Sequence, residues 1–505
     1  MSAITNREDS ARTQERVSLA SNLAHYTPSV LFRSLAGIAN LLIRPRLLNP
    51  EWFGLFSLLN VIPGYCRYLH LGSRDYMRFS LPKLQADGQD DEVLRIEASV
   101  FWGSIVPNAT VAVVLLLLAA FAGFEFEMSI GLAAMAVLVV FTCLYEHCVT
   151  VMKGHQMFRE LSRGMYVRNA TQLGLSITLM LMFGFYGLLV ALPIACLTGL
   201  IYLRRYYPSG KPGRFRLPVY AGMVREGLPL AASAFLMTLM VTNGRLLVAG
   251  YLTKEDVGCY ALATLALTGM LQFSGAAREV VEPRIMEQAN TLRDPAVLNR
   301  YLYRPLVINA CCVPLIIAPL YFLLPPLIDW FLPKYSSGVP PVQVALFGFY
   351  FLALFYPLRG IIVAHRMQVA SAFVLLLCLG INVGLSFVAL ERGAGITGVA
   401  LANSISYAAL LLLTIAALNG LRGVPMAIRK TWPVLAAFPV LCGTVYASQT
   451  WLAPKLPAGL PAAIIQSALV GGTGLGLLAL AIPRMDVLGG KTPGSVLRSM
   501  LSKKG

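Results

Sequence analysis

The chain has 505 residues, 57% of them hydrophobic and only 13% charged, with a mean hydropathy of +0.68, a balance that excludes a soluble globular domain. The formal net charge of +17 would suit nucleic acid, but the Lys and Arg lie in short loops between apolar stretches, where they face anionic headgroups. Membrane lipids, and no nucleic acid, are therefore the expected partners.

Residues 1–25 are polar and lack an apolar h-region, so they read as a cytoplasmic tail and not as a cleavable signal. A membrane-spanning helix needs about 20 mostly apolar residues. Such spans lie at 26–48, 51–72, 98–122, 128–150, 164–184 and 186–203, and together form an N-terminal lobe over 26–203. A basic linker, 204–226, leads to a second lobe over 227–418 with spans at 227–250, 256–280, 305–327, 341–364, 367–390 and 395–418. Two further spans, 433–452 and 460–483, lie within 433–483, and residues 484–505 form a polar tail. The expected fold is an all-α polytopic membrane protein of about fourteen transmembrane helices.

Basic residues resist translocation and stay on the cytoplasmic side. Of the 41 Lys and Arg, only Arg44, Arg46, Lys254, Lys334, Arg392 and Lys455 fall on the other side if the N-terminus is inside. Both termini and the linker are therefore expected in the cytoplasm.

Several motifs fail on context. The nine cysteines form no C-x-x-C pair and read as small buried hydrophobes, and the five His are scattered without metal-ligand spacing. Gly490-Lys491-Thr492 resembles the end of a P-loop, but Met485 stands where its first glycine should be. Gly472 and Gly476 form a G-x-x-x-G expected to serve close helix packing. The sequon Asn108-Ala109-Thr110 lies at membrane depth. The longest external loop, 324–340, offers one acid, Asp329, and Glu125 and Glu127 read as a solvated turn. Neither an enzyme nor a bound cofactor is expected.

A shift of 204 residues lays Gly54-Leu55-Phe56-Ser57-Leu58 on Gly258-Cys259-Tyr260-Ala261-Leu262 and Arg74-Asp75 on Arg278-Glu279. Six spans separate the copies, so the two six-helix lobes would form a parallel repeat around a central cavity, with the last two helices outside it. Charges inside spans are costly and should line that cavity. Arg33 shares a helical face with Gly37, Asn40 and Arg44; Asn60, Arg67 and Arg74 recur every seven residues with a kink expected at Pro63-Gly64; Thr238, Thr242 and Arg245 share a third face. Arg33, Arg67 and Arg245 fall about 8–10 Å inside a boundary at a rise of 1.5 Å per residue. Arg74 and Arg278 are expected to snorkel or to pair locally. The first span holds no carboxylate, and Glu146, Asp75, Glu279 and Glu282 are placed near cytoplasmic ends, so an anion finds more partners than a cation. Guanidinium forks match phosphate oxygens, which points to a phosphorylated lipid headgroup.

Residues 41–84 and 227–263 carry the helix, short turn and G-x-[FY] opening of each lobe, and by them the chain resembles the multidrug/oligosaccharidyl-lipid/polysaccharide exporter superfamily, in particular its O-antigen flippase branch. The resemblance implies a flippase that moves a polyprenyl-diphosphate-linked oligosaccharide across the bacterial inner membrane by alternating access. Polysaccharide polymerase or export proteins are then expected partners, and the arginines are also similar to those of the lipid II flippase branch, a likeness that implies that Arg33, Arg67, Arg245 and Arg278 hold the diphosphate, with the polar Asn40 and Asn60 as further expected substrate contacts. The two extra helices are like those of the lipid II flippase branch, where they form a groove for the polyprenyl tail, so that branch is the alternative. A cation antiporter would be expected to carry an acid in the first helix, and none is present.

Overall fold

The computed structural model describes residues 26, 28–40, 42–208, 214–287, 304–422, 428–456 and 459–484, without the side chains of 272–287, 304, 421–422, 428–435 and 478–484. No strand occurs among the described residues, and nine helical stretches are long and apolar enough to cross a membrane. This is a multi-pass membrane protein. Its helices are α1 (28–47), α2 (Pro50–Leu59), α3 (Val61–Cys66), α4 (Ser73–Ala86), α5 (Asp90–Phe121), α6 (Phe126–Gly154), α7 (Phe158–Arg204) and α8 (Leu217–Tyr251). They continue as α9 (Lys254–Glu287), α10 (Arg304–Phe331), α11 (Val339–Ala364), α12 (Gln368–Glu391), α13 (Gly395–Arg422), α14 (Ile428–Ala447) and α15 (Leu460–Arg484).

The chain forms two compact units, Met1–Thr238 and Leu239–Gly505, with the division inside α8. In the first unit α5 packs on α6, α6 on α7, and α4 on both α5 and α6. Helix α5 shows how a membrane helix inverts the soluble pattern: Val93, Glu97, Val100, Ser104, Asn108 and Leu115 form one buried stripe, while Trp102, Val113, Leu117 and Phe121 are exposed. An apolar surface of that extent suits lipid. Met77, Leu81, Val93, Ile96, Val100, Val151 and Met223 make a core at which the start of α8 joins α4, α5 and α6. Nearby, His155 bridges Glu97 and Gln85, each at 2.6 Å, so three helices are tied by one imidazole.

Helix α7 contains two predicted spans. It breaks at Gly184, whose φ of 56° and ψ of −129° suit only a residue without Cβ. Its halves fold back on one another, since a Cβ on Gly164 would meet Leu203 and one on Gly199 would meet Arg168.

The second predicted span is not one helix. Pro63 lacks an N–H and crowds the carbonyl four residues earlier, and the chain kinks at Asn60 between α2 and α3. Residues 67–72 are turns, with Leu71 at φ 50° and Gly72 at φ 85°, before α4 begins. The seven-residue spacing of Asn60, Arg67 and Arg74 therefore does not mark a single helical face.

In the second unit α11 packs on α9, α10 and α13, α13 on α12, and the last pair, α14 and α15, on α10. The glycines that meet α10 are not the predicted pair. Nothing lies within 4 Å of a Cβ on Gly472 or Gly476, whereas one on Gly474 would stand 2.7 Å from the Cys311 carbonyl oxygen. The segment read as a long external loop is the end of α10 followed by a 3-10 helix, Pro333–Gly338, whose Tyr335 is buried. Gly490-Lys491-Thr492 lies outside the described residues.

Candidate functional site

A cavity of about 240 Å³, counted with its open mouth, lies inside the first unit. Pro63, Cys66 and Arg67 approach it from α3 and its end, Arg74 from the first turn of α4, Asn108 from α5, and Val139, Thr142, Cys143 and Glu146 from α6. The α6 residues stand at i, i+3, i+4 and i+7, one face of that helix. What brings Arg67 and Arg74 to one place is the turn between α3 and α4. There Gly72 N–H donates to His70 Nδ1 at 2.9 Å and Ser73 Oγ donates to the His70 carbonyl at 2.7 Å.

Gly72 is required twice over. Its left-handed φ disfavours a side chain, and an added Cβ would lie 2.2 Å from the carbonyl carbon of Gly227 on α8. The middle of α8 is fastened alongside by Tyr68 and Thr238, whose hydroxyls are 2.7 Å apart, and by Phe235, edge-on to Tyr65 and Tyr68.

The site's electrostatics come from three guanidiniums and one carboxylate. Arg74 is buried, and its Nη2 donates to the Cys143 carbonyl at 2.9 Å and to Cys143 Sγ at 3.1 Å. Its Nε has no hydrogen-bond partner among the described residues. Arg74 thus turns inward; it does not snorkel. Arg67 is exposed at the cavity, and its side chain makes no hydrogen bond among the described residues. Arg168 on α7 lies over the Tyr145 ring, 4.3 Å from its centroid, with Nη1 3.9 Å from Glu146 Oε1. That separation is an ion pair at long range and not a hydrogen bond. Arg67, Arg168, Arg74 and Lys153 all act on Glu146 electrostatically. A cluster with more guanidinium than carboxylate in an apolar setting attracts anions.

Of the residues expected to bind substrate, Arg67 lines this cavity and Arg33, Asn40, Asn60 and Arg245 do not. Arg33 is exposed on α1, and its side chain makes no hydrogen bond or ion pair among the described residues. Asn40 is buried on α1, its Nδ2 donating to the Ala36 carbonyl at 2.9 Å. One turn later Arg44 lies 5.2 Å from the Phe56 ring centroid. Asn60 is exposed at the α2–α3 kink. Arg245 is half-buried on α8 in the second unit, with Tyr260 and Tyr407 within electrostatic reach. The side chain of Arg278, on α9, lies outside the described residues.

Glu146, Arg74 and Arg168 were not identified as site residues by sequence reasoning. Glu146 and Arg168 do lie inside predicted spans, 128–150 and 164–184, and an ionisable residue there is itself a functional signal. Glu146 was placed near a cytoplasmic end, and Arg168 was not singled out. The second unit holds another group that spacing did not reveal: Asn243 Nδ2 donates to Asn382 Oδ1 at 2.7 Å, Asn382 Nδ2 to Asn403 Oδ1 at 2.5 Å, and Asn403 Nδ2 to Tyr260 OH at 2.5 Å. This buried ladder joins α8, α12, α13 and α9. It runs as an open chain, with Asn243 Oδ1 left without a hydrogen-bond partner among the described residues, and no metal-binding group of His, Cys, Asp or Glu occurs among them.

Residues 43–334 match a family described as polysaccharide biosynthesis protein. No curated protein sequence matches the chain. Among solved structures, the lipid II flippase MurJ in an inward closed conformation superposes with a TM-score of 0.67 at 14% identity, covering 91% of this chain and 99% of that one. An inward-facing multidrug resistance MATE family transporter of the MOP superfamily gives 0.59 at 13% identity, over 81% and 95% of the two chains. A point mutant of the Vibrio cholerae MATE transporter VcmN gives 0.54 at 15% identity, over 82% and 98%. At these identities the likeness establishes the fold, that of the all-α MurJ and MATE transporters.

Proposed function

Because the chain belongs to the polysaccharide biosynthesis protein family, we propose that it is a flippase for a polyprenyl-diphosphate-linked oligosaccharide, which it carries from the cytoplasmic to the outer leaflet of the bacterial inner membrane. The observation that carries this reading is the cavity where Arg67 and Arg74 converge, with Glu146 and Arg168 beside them. Guanidinium forks bond phosphate oxygens in pairs, and a low-dielectric setting strengthens each bond. An organic cation would meet the repulsion of three guanidiniums for the attraction of one carboxylate.

In this account Arg67 and Arg74 receive the diphosphate in the first unit, and Arg33, Arg245 and Arg278 contact it at other stages of an alternating-access cycle, with Asn40 and Asn60 offering neutral hydrogen bonds. Both termini face the cytoplasm, where the linker's basic residues meet anionic lipid. The chain performs no covalent chemistry, and a polysaccharide polymerase or export protein takes the glycan on the far side.

A second reading, a flippase of the peptidoglycan precursor, draws on the likeness to MurJ and on the extra helices α14 and α15 packed against α10. Deleting the gene separates the two. The first reading expects the lipid-linked surface glycan to accumulate in the cytoplasmic leaflet while peptidoglycan synthesis continues. Lysis with accumulated peptidoglycan precursor would favour the second.

A further inference from the structure

Glu146 is an oddity in a site for an anion. It lies on the same face of α6 as Val139, Thr142 and Cys143 and lines the cavity with Arg67 and Arg74. A carboxylate there repels any phosphate that enters. A structural explanation would have it fix a guanidinium by a tight bidentate pair. Yet its contact with Arg168 is 3.9 Å, and Arg168 is already held against the Tyr145 ring. Arg74, for its part, is anchored to the Cys143 carbonyl and not to the carboxylate. Arg74 and Arg168 thus have anchors of their own, and the carboxylate faces the cavity beside Arg67.

A carrier must bind well enough to load and weakly enough to let go. Two guanidiniums lining a low-dielectric cavity and a third beside it, with nothing opposing them, would hold a dianion too long. Resting on the flippase reading, we propose that Glu146 is an internal counter-anion, which stands in for the cargo's phosphate when the cavity is empty and lowers affinity for it when the cavity is filled, so that release follows loading. The carboxylate's effect scales with the charge on the ligand. It weakens binding of a dianionic diphosphate diester by about tenfold and of a monoanionic phosphate diester by about threefold, the ratio expected when one unit charge acts on two charges or on one.

The test measures binding by calorimetry on the purified full-length chain in detergent. The probes are a short-chain polyprenyl-diphosphate-linked N-acetylglucosamine and its polyprenyl-monophosphate counterpart. Glu146→Gln should bind the first about tenfold and the second about threefold more tightly than wild type, and should move cargo more slowly. Arg168→Met, which removes a positive charge from the same cluster, should weaken the dianion. The opposite signs distinguish a counter-anion from a positioning residue, for which both variants would weaken binding together. Thr142→Glu adds a second carboxylate one turn away and should weaken the dianion by a similar factor, so the sign can be read even if Glu146→Gln does not fold. Unchanged or weaker dianion binding by folded Glu146→Gln overturns the proposal, as does undiminished binding by Thr142→Glu. Arg67→Glu separates the two levels. If it abolishes binding while Glu146→Gln changes nothing, only the counter-anion is refuted; if it binds as wild type does, the anion site itself is refuted as well.

Discussion

The Arg74 guanidinium reaches from the first turn of α4 to the backbone carbonyl of Cys143 on α6, 2.9 Å away, and so joins two helices through a buried charge. The second helix lends a main-chain carbonyl and the Cys143 sulfur, 3.1 Å away, so α6 needs no acid at that position.

Replacing Arg74 with Ala should lower stability by about 1.5–3 kcal/mol, the range for a hydrogen bond to a charged group. Lys should recover part of it, since it keeps a cation without the planar fork. Thermal unfolding of the purified variants measures this, and wild-type stability for Arg74→Ala would mean that the contact contributes nothing.

Gly72→Val should be far more disruptive than a glycine change in open space. A β-branched residue at φ 85° costs about 1–2 kcal/mol, before the collision with Gly227 is counted. Gly222→Ala, with nothing within 4 Å of the new Cβ, is the control. The expected result is loss of folded protein for the first and normal yield for the second, read by size-exclusion chromatography.

In the second unit, Asn382→Leu removes the middle of the asparagine ladder and leaves Asn243 and Asn403 without it. Hydrogen bonds between membrane helices are worth about 0.6–1.7 kcal/mol each, so a loss of about 1–3 kcal/mol is expected. The double variant with Asn403→Leu should cost less than the sum of the single ones, because the two share a bond. Thermal unfolding of the three variants checks both statements.

Much of the helical layout was legible because about 20 apolar residues leave few alternatives in a membrane. The predicted spans 367–390 and 460–483 correspond to α12 at Gln368–Glu391 and α15 at Leu460–Arg484. Even the division of α7 near residue 184 was readable. The polar groups were not. A seven-residue spacing presupposes an unbroken helix, and Pro63 with the turn before Gly72 breaks it. Asn243, Asn382 and Asn403 are remote in sequence, and only tertiary packing shows that they meet. Glu146 was read as lying near a cytoplasmic end and Arg168 was not singled out, and only the packing of α7 on α6 brings the two together.

The proposed orientation has its own test. Ser336 is exposed on the short 3-10 helix Pro333–Gly338, whereas Ser209 belongs to the linker and lies outside the described residues. The native cysteines are buried except Cys312 and Cys442, which are half-buried, so background labelling should be low. With cysteine introduced at either site, an impermeant thiol reagent should label position 336 in intact cells and position 209 only after permeabilisation. Labelling of 209 from outside would reverse the topology.

The central claim is that the Arg67 cavity receives a diphosphate-linked lipid, and transport by Arg67 variants in proteoliposomes tests it most directly. The cargo is a short-chain polyprenyl-diphosphate-linked oligosaccharide, and its appearance in the opposite leaflet is timed. Removing a charge-assisted bond worth about 1.5–3 kcal/mol should slow Arg67→Ala by about 10- to 150-fold, with Arg67→Lys intermediate and Arg67→Glu slowest. Transport by Arg67→Glu at the wild-type rate, with protein amounts matched, would contradict the account.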